Sequence, residues 1–139
     1  MCIRDRNQIE RHPHYQRMEE LSVMKELGIQ VEGWAPFAEG LKGMFTEPVL
    51  QEIAEKHGKT VPQIILRWDI QQNVVIIPKS VHQNRMEENL TIWDFELDHE
   101  DMEKIAQLDK NVPSMLDCSK PSEIDRLYDY LNNPVLTSL

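Results

Sequence analysis

The sequence predicts an α/β fold built on a parallel sheet, and a sheet with too few strands to be complete by itself. Three observations lead there. Short strand-like segments alternate regularly with segments of helical period. The third strand-like run, Val74-Val75-Ile76-Ile77, is apolar at every position, as expected of a parallel strand buried on both faces. Only three such runs can be counted, so the sheet cannot close into a barrel and keeps two bare edges.

Taken in order, Asn7-Gln8-Ile9-Glu10 reads as a strand that ends at the His12-Pro13 breaker. Met18, Leu21, Met24 and Leu27 recur every three residues, one face of a helix, and Gly28 follows as a residue able to take positive φ. Ile29 to Ala35 reads as the second strand, stopped by Pro36, and a loop with Gly40 and Gly43 comes next. Thr46 is placed to cap a helix with Pro48 in its first turn, with Val49, Leu50, Ile53 and Ala54 inward and Gly58 closing it. Thr60 and Gln63 form a capping-box pattern around Pro62, opening a helix through Ile64, Ile65 and Trp68. After the third strand, Ser80 and Gln83 repeat that pattern ahead of a helix through Met86 and Leu90. Asp98 caps another helix, with Met102, Ile105, Ala106 and Leu108 inward, and a short helix is expected from Ser122 to Leu131. Met18, Met24, Met86 and Met102 are all expected on core faces.

Composition bounds the function. The 139 residues suffice for one domain, and 40% hydrophobic with 28% charged residues is the make-up of a soluble globular chain. No apolar run approaches the roughly 20 residues that span a bilayer, and the first six residues lack the apolar stretch of a signal peptide. The net charge of −9 argues against nucleic-acid partners, which demand a basic surface. That acidity is uneven: residues 1–95 hold 14 acids and 11 bases, whereas residues 96–129 hold ten and four. The late helices therefore carry most of it, as a solvated face. Cys2 and Cys118 lie too far apart to suggest a disulfide framework, so a reducing, cytoplasmic location is expected.

The stretch Ile76-Ile77-Pro78-Lys79-Ser80-Val81-His82-Gln83-Asn84-Arg85-Met86-Glu87-Glu88-Asn89 carries the most chemistry. A strand ends and a helix starts almost at once, so free N–H groups and the positive helix end face the same side. Lys79 adds a point charge, Ser80 a hydroxyl, and Arg85 a guanidinium fork suited to phosphate. Arg85, Glu88 and Asn89 share one helix face at i, i+3 and i+4. The residues alone leave two readings open: a seat for a nucleotide's phosphate and base, or an ordinary capped surface turn with an Arg–Glu pair.

The run IPKSVHQNRMEEN, with NQIERHPHYQ, VEGWAPFAEG and HGKTVPQIILRW in the same order, resembles the C-terminal half of an aldo-keto reductase, with the bacterial diketogluconate reductases among the most similar members. The resemblance runs from about Asn7 to about Asp109. It implies a partial (β/α)8 barrel, roughly its last three strands and their helices, from an NADPH-dependent reductase of aldehydes and ketones. Gln8 then resembles the glutamine that holds the nicotinamide carboxamide, and Trp34 the aromatic residue stacked on the nicotinamide ring. Lys79, Ser80 and Arg85 match residues on the adenosine 2′-phosphate, and Glu88 and Asn89 those on adenine. Phe37 matches a backbone contact in a loop, Ala35-Pro36-Phe37-Ala38-Glu39-Gly40, that departs from the family's usual Ser-Pro-Leu-Gly. His82 stands where Thr or Ser is commoner.

The same resemblance implies that the catalytic tyrosine, lysine, aspartate and histidine belong to the other half of the barrel, so no catalytic residue is assigned here. Tyr15, Tyr128 and Tyr130 lie in no matching motif. Residues 1–6 are expected to be an extension foreign to the pattern, 7–110 the half-barrel, and 111–139 a C-terminal loop or tail. That tail offers Met115, Leu116, Leu127, Tyr128 and Tyr130 as candidates to cover the active face. The expected partner is a small carbonyl substrate, and the alternative function is a non-catalytic nucleotide-binding or regulatory module. His12 and His14 make too sparse a set for a metal site, and Cys118 has no neighbouring base to make it a nucleophile.

Overall fold

The computed structural model of the chain describes residues 5–40, 43–115, 117 and 120–132. Cys2, Leu116 and Cys118, and the side chains of Tyr130 and Leu131, lie outside the described residues. The elements run β1 (Arg6–Glu10), α1 (Met18–Glu26), β2 (Gln30–Trp34), two 3₁₀ turns (Ala38–Gly40 and Met44–Thr46), α2 (Pro48–His57), α3 (Val61–Gln71), β3 (Val75–Ile76), α4 (Gln83–Leu90), α5 (His99–Ala106) and α6 (Pro121–Asn132).

The three strands form one sheet in the order β1-β2-β3, and both pairings are parallel. Arg6 lies opposite Gln30 and Glu10 opposite Trp34, while Glu32 and Gly33 face Val75 and Ile76. Alternation along the strands sorts the two faces. One face sets Ile9, Val31 and Val74 against Met24 of α1, with Leu21 and Ile29 beside them. The other carries Gln8, Glu32 and Trp34, and Arg6 pairs there with Glu32 at 3.6 Å.

The larger core lies among the helices. Leu50, Ile53, Ile64, Ile65, Trp68 and Ile105 close it, fully or almost fully buried, with Met44 and Leu97 filling the ends. Each such side chain removed from water is worth roughly 1.5–3 kcal/mol. Between the two cores, Arg11 is ion-paired to Asp69, both with fully buried side chains, and its Nε donates to the Gln16 carbonyl at 2.9 Å. Lys56 of α2 bonds Asp98 and Asp101 at 2.6 and 2.8 Å, and His57 meets Asp101 at 2.7 Å, locking α2 to the start of α5. Glu10, at the end of β1, accepts the amides of Ser114 and Met115 at 2.7 and 3.0 Å, so the chain after α5 returns to the mouth of the sheet.

Several sequence expectations are corrected. β3 is two residues long rather than four, and only Val74 of its run is buried; Val75 and Ile77 are 37% and 46% exposed. Val75 lies opposite Glu32 and so projects to the Gln8–Glu32–Trp34 face rather than onto α1, where Val74 is buried, and Ile77 lines the cleft beside Trp34. In α1 only Met24 is buried, while Met18 at its start and Leu27 just past its end are 50% and 68% exposed. Met86 and Leu90 are likewise exposed, as α4 buries no side chain at all, and Ala106 points outward. Thr46 does not cap α2; its hydroxyl turns back to the Gly43 carbonyl at 3.1 Å and Glu47 takes the cap position, with Pro48 first in the helix. Ser80 forms no capping box either. Its Oγ accepts the His82 amide at 3.1 Å, and His82 precedes α4. The boxes at Thr60–Gln63 and at Asp98 are present, the latter with Asp101 as its second member.

Candidate functional site

A cleft of about 950 Å³ opens beyond the C-terminal ends of β2 and β3. Three segments build it. β2 ends in Trp34 and continues through Ala35-Pro36-Phe37 along one wall. The chain after β3 brings Ile77, Lys79 and Ser80, and α4 follows with Arg85, Glu88 and Asn89 on the facing wall. The first turn of α3, Thr60-Val61-Pro62, closes one side. Seven of the eight residues singled out from the sequence therefore line one cavity: Trp34, Phe37, Lys79, Ser80, Arg85, Glu88 and Asn89.

The electrostatics of that wall are distinctive. Most lysines and arginines among the described residues are paired with a carboxylate. Lys79 and Arg85 are among the few with no carboxylate within ion-pair distance among the described residues. His82, at the cap position of α4, makes no side-chain bond to the helix start. Lys79 and Arg85, beside Ser80, whose hydroxyl is engaged with the His82 backbone, are side chains suited to an anion. Glu88 and half-buried Asn89 add an acceptor and an amide one turn further on.

The opposite wall is apolar. Half-buried Trp34 and Phe37 offer ring faces, and Phe37 packs on Phe45 with centroids 5.8 Å apart. The loop after β2 is bent by left-handed residues: Ala35, Ala38 and Glu39 have φ of 51°, 46° and 54°. Such backbone costs energy for residues with a Cβ and gathers at binding sites. At Gly40, φ is 73° and an added Cβ would lie 2.9 Å from the Phe45 ring. Glycine there lets the loop close on the ring.

Gln8 does not line the cleft. It lies on the same sheet face as Trp34, but its amide donates to Glu32 Oε1 at 3.0 Å. His12 and His14 are buried against Glu10 and Glu47, at 3.3 and 3.1 Å. Tyr15 sits at the turn after them, half-buried with Arg17 4.9 Å over its ring. Burial pushes its phenol above the usual range, with Arg17 opposing. In the tail, Met115 is half-buried, whereas Leu127 and Tyr128 are exposed. Sequence reading missed the contributions of Phe45 and of Thr60-Val61-Pro62. The Thr60 capping box was visible, but no local signal tells which way a helix start faces.

A family model described as the aldo/keto reductase family matches residues 5–110. The glyoxal reductase of Bacillus subtilis is 49% identical over 105 residues, covering 76% of this chain and 37% of the relative. The methylglyoxal reductase DkgA of Escherichia coli is 43% identical over 104 residues, 75% of this chain and 38% of the relative. Among solved structures, a mutant of Gox0644 in complex with NADPH superimposes with a TM-score of 0.72 at 37% identity, over 76% of this chain and 38% of that one. The chain thus spans little more than a third of the length of these relatives.

Proposed function

The chain belongs to the aldo/keto reductase family, and on that premise we propose that it forms the cofactor seat of an NADPH-dependent reductase of aldehydes and ketones. In this reading its three strands are the last three of a (β/α)8 barrel, in which sites lie at the C-terminal ends of the strands. The observation that carries the proposal is the convergence of Lys79, Ser80, Arg85, Glu88 and Asn89 with Trp34 on one cleft.

The residues present fit the cofactor. Lys79, Arg85 and the Ser80 hydroxyl suit a 2′-phosphate, which distinguishes NADPH from NADH. Glu88 and Asn89 suit the donor and acceptor edge of adenine, and Trp34 offers its indole face for stacking on the nicotinamide. Bound NADPH supplies a hydride to the carbonyl carbon. Gln8 would have to give up its bond to Glu32 to hold the carboxamide of that ring.

Carbonyl reduction also needs a proton donor within hydrogen-bond reach of the oxygen, with its pKa brought down toward working pH. Tyr15 is shifted the other way and lies off the cleft. We place the donor and its supporting residues outside these 139 residues, in sequence that the matched relatives carry beyond the aligned part. A non-catalytic nucleotide-binding module is the second reading, favoured by the lack of any tyrosine on the cleft wall among the described residues. A cytoplasmic location belongs to the same proposal; among the described residues no helix is long and apolar enough to cross a membrane.

Fluorescence titration of the chain with NADPH and NADH tests the seat. Saturable quenching with a lower Kd for NADPH is expected. Equal affinities, or no saturable binding of either, overturn the proposal.

A further inference from the structure

α4 carries Arg85, Glu88 and Asn89, yet none of its side chains is buried. A helix held by so little apolar contact has its position set by polar anchors. The strongest lies on α3. Gln63, 6% exposed, uses its whole amide. Its Oε1 accepts the Thr60 amide at 3.0 Å, completing the box that starts α3. Both hydrogens of its Nε2 leave α3 altogether: one goes to the Glu88 carbonyl at 3.1 Å and the other to the Thr91 carbonyl at 3.0 Å. The Glu88 carbonyl also accepts the Thr91 amide at 3.0 Å, so Gln63 takes up its second lone pair where α4 ends. One turn along α3, Arg67 donates to the Ile92 carbonyl at 3.3 Å and extends the same seam.

We propose that Gln63 is a positioning residue for the nucleotide, setting where α4 presents Glu88 and Asn89 to the cleft. The carbonyl it holds belongs to Glu88 itself, and Asn89 is the next residue. Gln63 neighbours Pro62 in sequence, and Pro62 lines the same cleft. One buried amide therefore joins two walls of the site without touching its contents. This role rests on the cofactor reading and deepens it.

The test uses the full chain, adenosine 2′,5′-bisphosphate as the probe, and backbone hydrogen exchange. Gln63→Glu keeps an acceptor for the Thr60 amide but replaces the donor with an oxygen facing two carbonyls. It should lower exchange protection at Glu87–Thr91 and weaken the probe about five- to tenfold, the scale of losing a neutral hydrogen bond. The deficit should narrow at lower pH, as the introduced carboxyl protonates and donates again. Gln63→Met, which buries no charge, should weaken the probe similarly at all pH values and serves if the glutamate variant fails to fold. Lys56→Ala, which loosens the remote α2–α5 contact, should lower global stability without selective loss in α4 or in probe affinity. Selective loss of α4 protection with unchanged probe affinity overturns the positioning role and leaves the cofactor reading standing. Unchanged α4 protection in both Gln63 variants also overturns it. A wild-type chain that does not bind the probe overturns both.

Discussion

The guanidinium carbon of Arg11 lies 3.9 Å from the centre of the Trp68 ring, sandwiched where the sheet meets the helical core and ion-paired to the adjacent Asp69. Both charged side chains are fully buried. Such a pair contributes little over an apolar replacement, but removal of one partner strands the other charge in a low-dielectric interior.

Asp69→Ala should therefore destabilise the chain by about 3–5 kcal/mol. Replacing both members, Arg11→Met with Asp69→Leu, should recover most of that loss. Urea titration of the wild type and both variants reads the difference. A single variant as stable as wild type would show that the pair is solvated in solution.

If Arg85 holds the 2′-phosphate as proposed, Arg85→Ala removes a charge-assisted contact that NADH lacks. That contact is worth roughly 1.5–3 kcal/mol, or about 10- to 100-fold in affinity. NADPH affinity should fall by that factor while NADH affinity barely moves. Fluorescence titration with both cofactors checks it, and equal weakening counts against the 2′-phosphate assignment.

The acid limb of stability should belong to the α2–α5 lock. Hydrogen bonds from Lys56 and from the Asp101 amide hold the Asp98 carboxyl down at about 2. Burial alone would raise Asp101, but Lys56, His57 and the Asp98 amide together hold it below the usual range. Folded-state values below the unfolded value of about 3.9 mean that the lock is fully effective above that pH. Its contribution is lost as pH falls toward about 2. Melting temperatures measured across that window should drop steeply in wild type and less steeply in Lys56→Ala. Parallel curves would assign the acid limb to other carboxylates.

Gly40→Ala should cost about 1–2 kcal/mol, because φ of 73° is left-handed and the new Cβ meets the Phe45 ring at 2.9 Å. The ring lines the cleft, so cofactor affinity should fall along with stability. Unchanged affinity in a destabilised variant would separate the loop from the site.

What could be read from the sequence depended on how local each signal was. The Thr60–Gln63 box and the Asp98 cap are written within four residues, and both are present. The face shared by Arg85, Glu88 and Asn89 follows from helix spacing alone, and all three reach one cleft. The failures lie where tertiary context decides. The Ser80 pattern looked like the Thr60 one, but Ser80 engages His82 two residues on, so its hydroxyl is already used when the helix begins. Val75 and Ile77 are as apolar as Val74, but Val75 projects to the face away from α1 and Ile77 to the cleft, where both stay exposed. Met86 and Leu90 have helical spacing without a surface to pack on. Phe45 and Pro62 join the cleft through chain reversals that no short pattern encodes.

Those exposed groups lead to the last prediction. Among the described residues, β1 and β3 each lack a neighbour on the outer side, and Val75, Ile77, Met86, Leu90 and Trp93 stand in solvent close to the β3 edge in sequence. Bare parallel edges beside apolar residues favour pairing with other chains. The chain on its own should therefore associate as its concentration rises, and its light scattering should increase. Among the described residues the cleft is lined by no tyrosine, so on the proposed reading NADPH should not be consumed when an aldehyde is added. Supplying the complementary part of a relative's barrel should suppress association and restore turnover together, because the same strands that cover the edges would bring the missing donor to Trp34. Steady-state NADPH oxidation by this polypeptide alone would refute the division of labour proposed here. Suppressed association without turnover would favour the non-catalytic reading instead.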